Sequence, residues 1–282
     1  MIEPLRVTLP LIDQNTLGIT IFPTQNRNAP ILLLYPAFGV KATYYAKFAK
    51  QLTQVGIQVI TADLRGHGLS SVRPDKTNNY GFQEMIADLK AVSDYTKEKF
   101  PTQKIYLLGH SLGGQTASLA IAKYPNLANG LIIIGAPNVH YKNWSGIHYY
   151  RRKLLVQFLP AFGAFVALFP KLKIGGYYTT KKQAQEWGYT GKTGKYQVIG
   201  DHLDYKMAFK KVNCPILSIF IEDDGMVPKL AMEKLAGKFT QAKVTDITLT
   251  HQMAGQKVSH INWPRTATQA MVNIIEDWIA VL

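Results

Sequence analysis

Apolar and polar positions alternate along this chain in two rhythms. Short, nearly continuous apolar runs recur at Ile31–Tyr35, Ile57–Ala62, Lys104–Gly109, Gly130–Gly135, Pro215–Ile221 and Val244–Thr250. Runs of four to seven β-branched and aliphatic residues predict strands, and the lack of strict alternation predicts burial on both faces, as in a parallel sheet. Between them the spacing changes to that of helices. Residues 42–54 and 82–99 read as helices, the second with Met85, Ile86, Leu89 and Val92 three or four apart and Pro101 just past its end. Near the C-terminus Met271, Ile274, Ile275 and Trp278 form a single apolar helix stripe. Strand and helix in alternation predict an α/β fold with a mostly parallel, doubly wound sheet.

The rhythm fails between Asn138 and Lys211. That stretch holds 13 Lys and Arg against Glu186, Asp201 and Asp204, and 15 of the aromatic residues. It reads as a mainly helical cap, residues 138–211, inserted into a core made of 1–137 and 212–282. The net charge of +14 is therefore concentrated in one segment, and such a segment suits an anionic partner. No nucleic-acid motif accompanies the charge, so nucleic acid is not expected as a partner.

Within the cap, residues 154–169 are largely apolar and lie between Arg151, Arg152 and Lys153 on one side and Lys171 and Lys173 on the other. The run is short of the roughly 20 residues a membrane span needs, and Pro160 and Gly163 interrupt it. Two readings stand. Helices around Pro160 could bury the apolar side on the core and line an acyl pocket, or the segment could rest on anionic lipid with the basic clusters at the headgroups.

The remaining composition is that of an ordinary globular chain, with 47% hydrophobic and 18% charged residues among 282. No basic stretch followed by an apolar run opens the sequence, so no secretory signal is expected. The one cysteine, Cys214, cannot form an internal disulfide; a reducing, cytoplasmic setting is the expectation. The seven histidines show no ligand spacing, so neither metal nor cofactor is expected.

Chemistry is suggested by "IYLLGHSLGGQTASLAI", residues 105–121. Gly109-His110-Ser111-Leu112-Gly113 fits the G-x-S-x-G elbow, in which a sharp strand-to-helix turn lifts a serine hydroxyl above the sheet. A nucleophilic serine needs a base, and the base needs an orienting acid. Both are expected after later strands, in the order serine, acid, histidine. "EDDGMVP" follows the strand ending at 221 and offers Glu222, Asp223 and Asp224; "VSHINWPR" supplies His260. His251 falls at a strand end and reads as a rim residue, His110 as packing beneath the elbow, and His202 as part of the cap.

On these motifs the chain resembles serine hydrolases of the α/β-hydrolase superfamily, close to bacterial esterase and monoacylglycerol-lipase-like members. The resemblance implies an α/β-hydrolase fold. The family's acid loop, matched by Asp224-Gly225-Met226-Val227-Pro228, favours Asp224 with Asp223 as runner-up, which makes the catalytic set Ser111, Asp224 and His260. Asp63 to Ser70, "DLRGHGLS", resembles the family's D-x-R-G-x-G-x-S turn, whose expected role is structural. Where relatives often carry His-Gly-x-Gly, this chain reads Pro36-Ala37-Phe38-Gly39. By position the oxyanion hole would be the N–H groups of Phe38 and Leu112. The implied function is cleavage of a carboxylic ester, lipid-like in having a hydrophobic part, through an acyl-enzyme. Acyl transfer by the same triad, and a silent binding protein on a hydrolase scaffold, are the alternatives.

Overall fold

The computed structural model describes residues 2–73, 78–168, 173–174 and 177–282, with the backbone alone at 158–168, 173–174 and 177–178. The chain opens with two strands, β1 (Leu5–Pro10) and β2 (Thr16–Phe22), followed by β3 (Ile31–Tyr35), α1 (Ala46–Gln54) and β4 (Gln58–Ala62). It continues through α2 (Phe82–Lys99), β5 (Ile105–His110), α3 (Leu112–Lys123) and β6 (Gly130–Ile134). Then come α4 (Gly146–Leu168), a small hairpin of β7 (Lys173–Ile174) and β8 (Tyr177–Tyr178), α5 (Lys181–Thr193) and α6 (Tyr205–Lys211). The chain closes with β9 (Ile216–Ile221), α7 (Lys229–Ala236), β10 (Val244–Leu249), α8 (His251–Ala254), α9 (Trp263–Thr266) and α10 (Thr268–Ala280).

Eight strands form one sheet in the order β1-β2-β4-β3-β5-β6-β9-β10. The six strands from β4 to β10 in that order are parallel, and β1 and β2 are antiparallel. Successive side chains on the central strands enter opposite faces, and both faces are apolar, which is why the sequence shows unbroken runs. Ile31, Leu33, Leu107, Leu131 and Ile133 pack with α2, α3 and α6 on one face. Leu32, Leu34, Leu108, Ile132 and Ile134 pack with α1 and α10 on the other. Cys214 is half-buried just before β9, where burial pushes its thiol up to about 11.

The segment between β6 and β9 is not uniform. Its last helix, α6, buries Ala208 and Phe209 in the same core as α3, with Phe209 edge-on to Phe239 at 5.1 Å. The remainder, α4 and α5, pack on each other; a Cβ on Gly191 of α5 would lie 2.4 Å from Val156 of α4, so the two backbones approach closely there. The expected break at Pro160 is not found in the backbone, which stays helical from Gly146 to Leu168. A proline removes one intrahelical bond and strains the preceding turn, but the turns on either side keep their own bonds. Lys171 and Phe169, and the side chains of 158–168 and Lys173, lie outside the described residues.

Polar contacts hold α5 to the start of α2. Glu186 is buried and accepts the N–H of Phe82 (2.8 Å) on one oxygen and that of Ile199 (2.9 Å) on the other. Lys182 reaches Glu84 at 2.6 Å, and the Thr180 hydroxyl donates to the Tyr80 carbonyl. A carboxylate at the first turn of α2 also meets the positive end of that helix dipole.

Candidate active site

The elbow is built by close backbone approach. β5 ends at His110 and α3 begins at Leu112, so Ser111 alone makes the turn, at φ 53° and ψ −115°. A non-glycine residue is rarely held at positive φ, and only surrounding structure keeps it there. The Ser111 N–H donates to Ile134 of β6 at 2.9 Å. A Cβ on Gly113 would sit 2.3 Å from the Tyr35 carbonyl oxygen, and one on Gly109 would sit 2.4 Å from Gly114 Cα. Any side chain at these positions would drive α3 away from β3 and β5. The glycines in the motif are therefore a packing requirement of the elbow.

Three further loops leave the same carboxyl edge of the sheet. After β9, Asp224 turns back on its own loop: Oδ1 accepts the N–H groups of Met226 (2.8 Å) and Val227 (3.0 Å). Its other oxygen, Oδ2, lies 2.7 Å from His260 Nδ1, and both side chains are buried. The pair is closed from below by Gly135 at the end of β6, where a Cβ would come within 3.0 Å of the His260 ring. Gly135 also has φ 53°, so a side chain there would be strained as well as obstructed.

The neighbouring acids do something else. Asp223 is largely exposed and lies 3.5 Å from His251 Nε2. Glu222 accepts the His251 N–H at 2.6 Å, while His251 Nδ1 accepts the N–H of Val258 at 3.2 Å. His251 begins α8 and braces the loop that leads to His260; it is a rim residue with a structural contact. His202 lies on the loop ahead of α6.

His110 is fully buried, and burial, reinforced by the nearby His260, holds its imidazole well below the usual histidine range. Its Nε2 meets the Trp263 indole N–H at 3.4 Å, and its Nδ1 lies 2.7 Å from the Tyr45 hydroxyl. That same hydroxyl accepts the Ala37 N–H at 3.1 Å. Two residues on, the Gly39 N–H donates to His67 Nε2 at 3.0 Å. Side chains thus fix the N–H groups on both sides of Phe38. The Phe38 and Leu112 N–H groups find no protein acceptor among the described residues.

The "DLRGHGLS" turn supports this arrangement. Asp63 accepts the N–H of Ala42 (2.8 Å) and of Leu69 (2.9 Å), and Arg65 grips Asp88 of α2 and Asp13 of the β1–β2 connection. Burial alone would depress the Arg65 guanidinium, but two carboxylates hold it charged. Sequence reasoning did not foresee Tyr45, Trp263 or Gly135. Aromatics inside apolar stretches give no signal of their polar edges; Gly135, at the carboxyl end of a strand, offers a faint one. Nor did it foresee Trp187 of α5, whose ring meets Phe38 at 5.7 Å and whose indole N–H donates to Gln115 of α3 at 3.2 Å.

Comparison with known proteins bears on the family and the fold. The family profile described as "Serine aminopeptidase, S33" matches residues 27–190. An sn-1-specific diacylglycerol lipase of Danio rerio is 30% identical over 115 residues, 40% of this chain and 33% of that protein. A monoglyceride lipase of Rattus norvegicus is 31% identical over 90 residues, 32% of this chain and 29% of that one. The chain thus matches about a third of the length of these curated relatives. In fold it superposes on Est1E from Butyrivibrio proteoclasticus, solved with ferulic acid, with TM-score 0.65 at 14% identity over 97% of this chain and 98% of the other.

Proposed function

The chain belongs to the serine aminopeptidase S33 family of α/β hydrolases, and from that premise we propose that it cleaves a carboxylic ester through an acyl-enzyme formed on Ser111. The observation that carries the reading is the buried 2.7 Å pair of His260 and Asp224, set on two loops at the sheet edge from which Ser111 also rises. In the proposed reaction His260 Nε2 takes the Ser111 proton as Oγ bonds to the ester carbonyl carbon. The carbonyl electron pair moves onto oxygen, which the N–H groups of Phe38 and Leu112 stabilise; α3 adds the positive end of its dipole there. His260 then returns the proton to the departing alcohol. Water, deprotonated by the same ring, releases the acid and regenerates Ser111. Asp224 keeps Nδ1 protonated and so keeps Nε2 facing the serine as a base.

An ester suits the surroundings better than the α-amino group of a peptide. An amino-terminal ammonium calls for a carboxylate partner, yet the three carboxylates between β6 and β9 are committed. Glu186 is clasped by two backbone N–H groups, Asp201 pairs with Lys123 at 2.7 Å, and Asp204 caps α6 through the Met207 N–H. The Phe38 and Trp187 rings beside the proposed oxyanion loop favour a hydrophobic acyl or alcohol part.

The test is hydrolysis of a series of p-nitrophenyl esters of increasing acyl length by wild type and Ser111→Ala. The expected result is turnover that peaks at one chain length and falls roughly 10⁶-fold in the variant. Equal turnover in Ser111→Ala would overturn the assignment, and no turnover on any ester would reject the proposed reaction.

A further inference from the structure

The first turns of α4 depart from the usual burial of apolar side chains. Ile147, Tyr150, Leu154 and Leu155 are between 49% and 67% exposed. Ile147, Tyr150 and Leu154 stand at i, i+3 and i+7, so they form one stripe along the helix, with Leu155 at its border. The opposite side of the helix is spoken for: Val156 is buried against Gly191 of α5. The outward stripe is therefore surplus to the packing of the insertion. Single exposed apolar residues are common on soluble proteins, but several large ones together mark a contact surface.

Charge identifies the contact. Arg151 and Lys153 are exposed on the same two turns. Arg152, by contrast, lies inward: its guanidinium stacks 3.8 Å over Trp144 and donates to the Met226 carbonyl at 3.4 Å. No Asp or Glu occurs anywhere between Glu98 and Glu186, whereas residues 138–185 hold eight Lys and Arg. An apolar helix face rimmed by cations, with no acid within reach in sequence, is complementary to an interface that is apolar inside and negative at its surface. Among the described residues no helix is long and apolar enough to cross a membrane, so the matching geometry is a helix lying in the interface plane.

We propose that the outer face of α4 docks the protein on anionic lipid, with Ile147, Leu154 and Leu155 entering the acyl boundary and Arg151 and Lys153 at the headgroups. The docking also has a direction. Met226, itself half exposed, follows two residues after Asp224 and is joined to α4 through Arg152. A docked α4 holds the acid loop beside the bilayer, where an amphiphilic ester would be met in its own phase.

The experiment is vesicle flotation of the full chain, read as bound protein and independent of turnover. Vesicles of phosphatidylcholine are compared with vesicles in which about a third of the lipid is phosphatidylglycerol. At low ionic strength the expected recovery on the anionic vesicles is about tenfold higher, and it declines in about 0.5 M salt as the charges are screened. Ile147→Ser/Leu154→Ser/Leu155→Ser should lose flotation on both vesicles, and Arg151→Glu/Lys153→Glu should lose the anionic preference. Both variants should keep the wild-type circular dichroism and turnover of a soluble short-chain ester. Equal recovery on neutral and anionic vesicles overturns the proposal, as does undiminished flotation of the two variants. A dimer in sedimentation equilibrium that the triple variant dissociates, with no vesicle recovery, overturns it in favour of a second copy of the chain.

Discussion

Two buried carboxylates, one at the sheet edge and one on α5 between β6 and β9, use the same number of backbone donors to opposite ends. Asp224 takes both of its N–H bonds on a single oxygen, from Met226 and Val227 in its own loop. The other oxygen is left for His260. Glu186 spreads its two bonds over both oxygens and draws them from separate segments, Phe82 at the start of α2 and Ile199 beyond α5. The first arrangement aims a carboxylate; the second spends it on joining pieces of chain. Burial of an acid is therefore no mark of catalysis by itself. What counts is whether an oxygen remains for a titratable partner.

The sharpest way to break this comparison is to remove the charge from each acid in turn. Asp224→Asn should lower kcat/KM for a p-nitrophenyl ester by about 10⁴-fold, because an amide stabilises the wrong tautomer of the imidazole. Its melting temperature should stay near that of wild type. Asp223→Asn, at the exposed neighbouring position, should behave like wild type in the same assay. Next in size, Gly135→Ala should cost up to about 10²-fold in kcat, since the added methyl displaces the His260 ring that Asp224 holds. If that variant kept full activity, the close contact beneath the pair would have no catalytic consequence.

Glu186→Ala should do the reverse of Asp224→Asn. It strands the buried Phe82 N–H, worth about 1–3 kcal/mol, and releases the more exposed Ile199 N–H to water, and the loss should appear in urea unfolding. A fall in kcat as large as that of Asp224→Asn, without loss of stability, would erase the distinction between the two acids. The smallest effect concerns pH. Burial, only partly offset by the two N–H donors and Lys182, pushes the Glu186 carboxyl up to about 7 from an ordinary 4.5. Between those values the folded chain binds more protons than the unfolded one, so this group's contribution is complete below pH 4.5 and lost as pH rises through 7. The melting temperature of wild type relative to Glu186→Gln should therefore drop over that window and level off above it. A flat difference would show that the clasp holds the carboxylate charged throughout.

Much of the sheet was legible because its central strands are covered on both faces and leave unbroken runs such as "ILLLY" and "GLIII". The β1–β2 hairpin was not read. It lies at the edge, where Leu5, Val7 and Leu9 alternate with Arg6 and Thr8; that is the pattern of a half-covered strand, which a search for unbroken apolar runs passes over. The basic span 138–211 stood out by charge, but charge does not reveal that α6 turns back onto α3. That depends on Ala208 and Phe209 meeting a surface formed by distant strands. Ser111, His260 and the acid loop could be placed by order along the chain, because strand-end loops of a parallel sheet gather at one edge. Which aspartate meets His260 is a matter of loop geometry: Asp223 and Asp224 are adjacent, and the turn sends them to different histidines.

The buried string that runs from Trp263 through His110 and Tyr45 to the Ala37 N–H joins four separate stretches of sequence. Trp263 and Ala37 donate at the two ends, and His110 and Tyr45 each join two partners, so exchanging one member strands its neighbour. Among relatives that share this elbow, natural variation at the second elbow position, at Tyr45 and at Trp263 is therefore expected to arrive together. Lineages that replaced one of the three would have passed through a poorly folded intermediate, unless a water took over the missing bond.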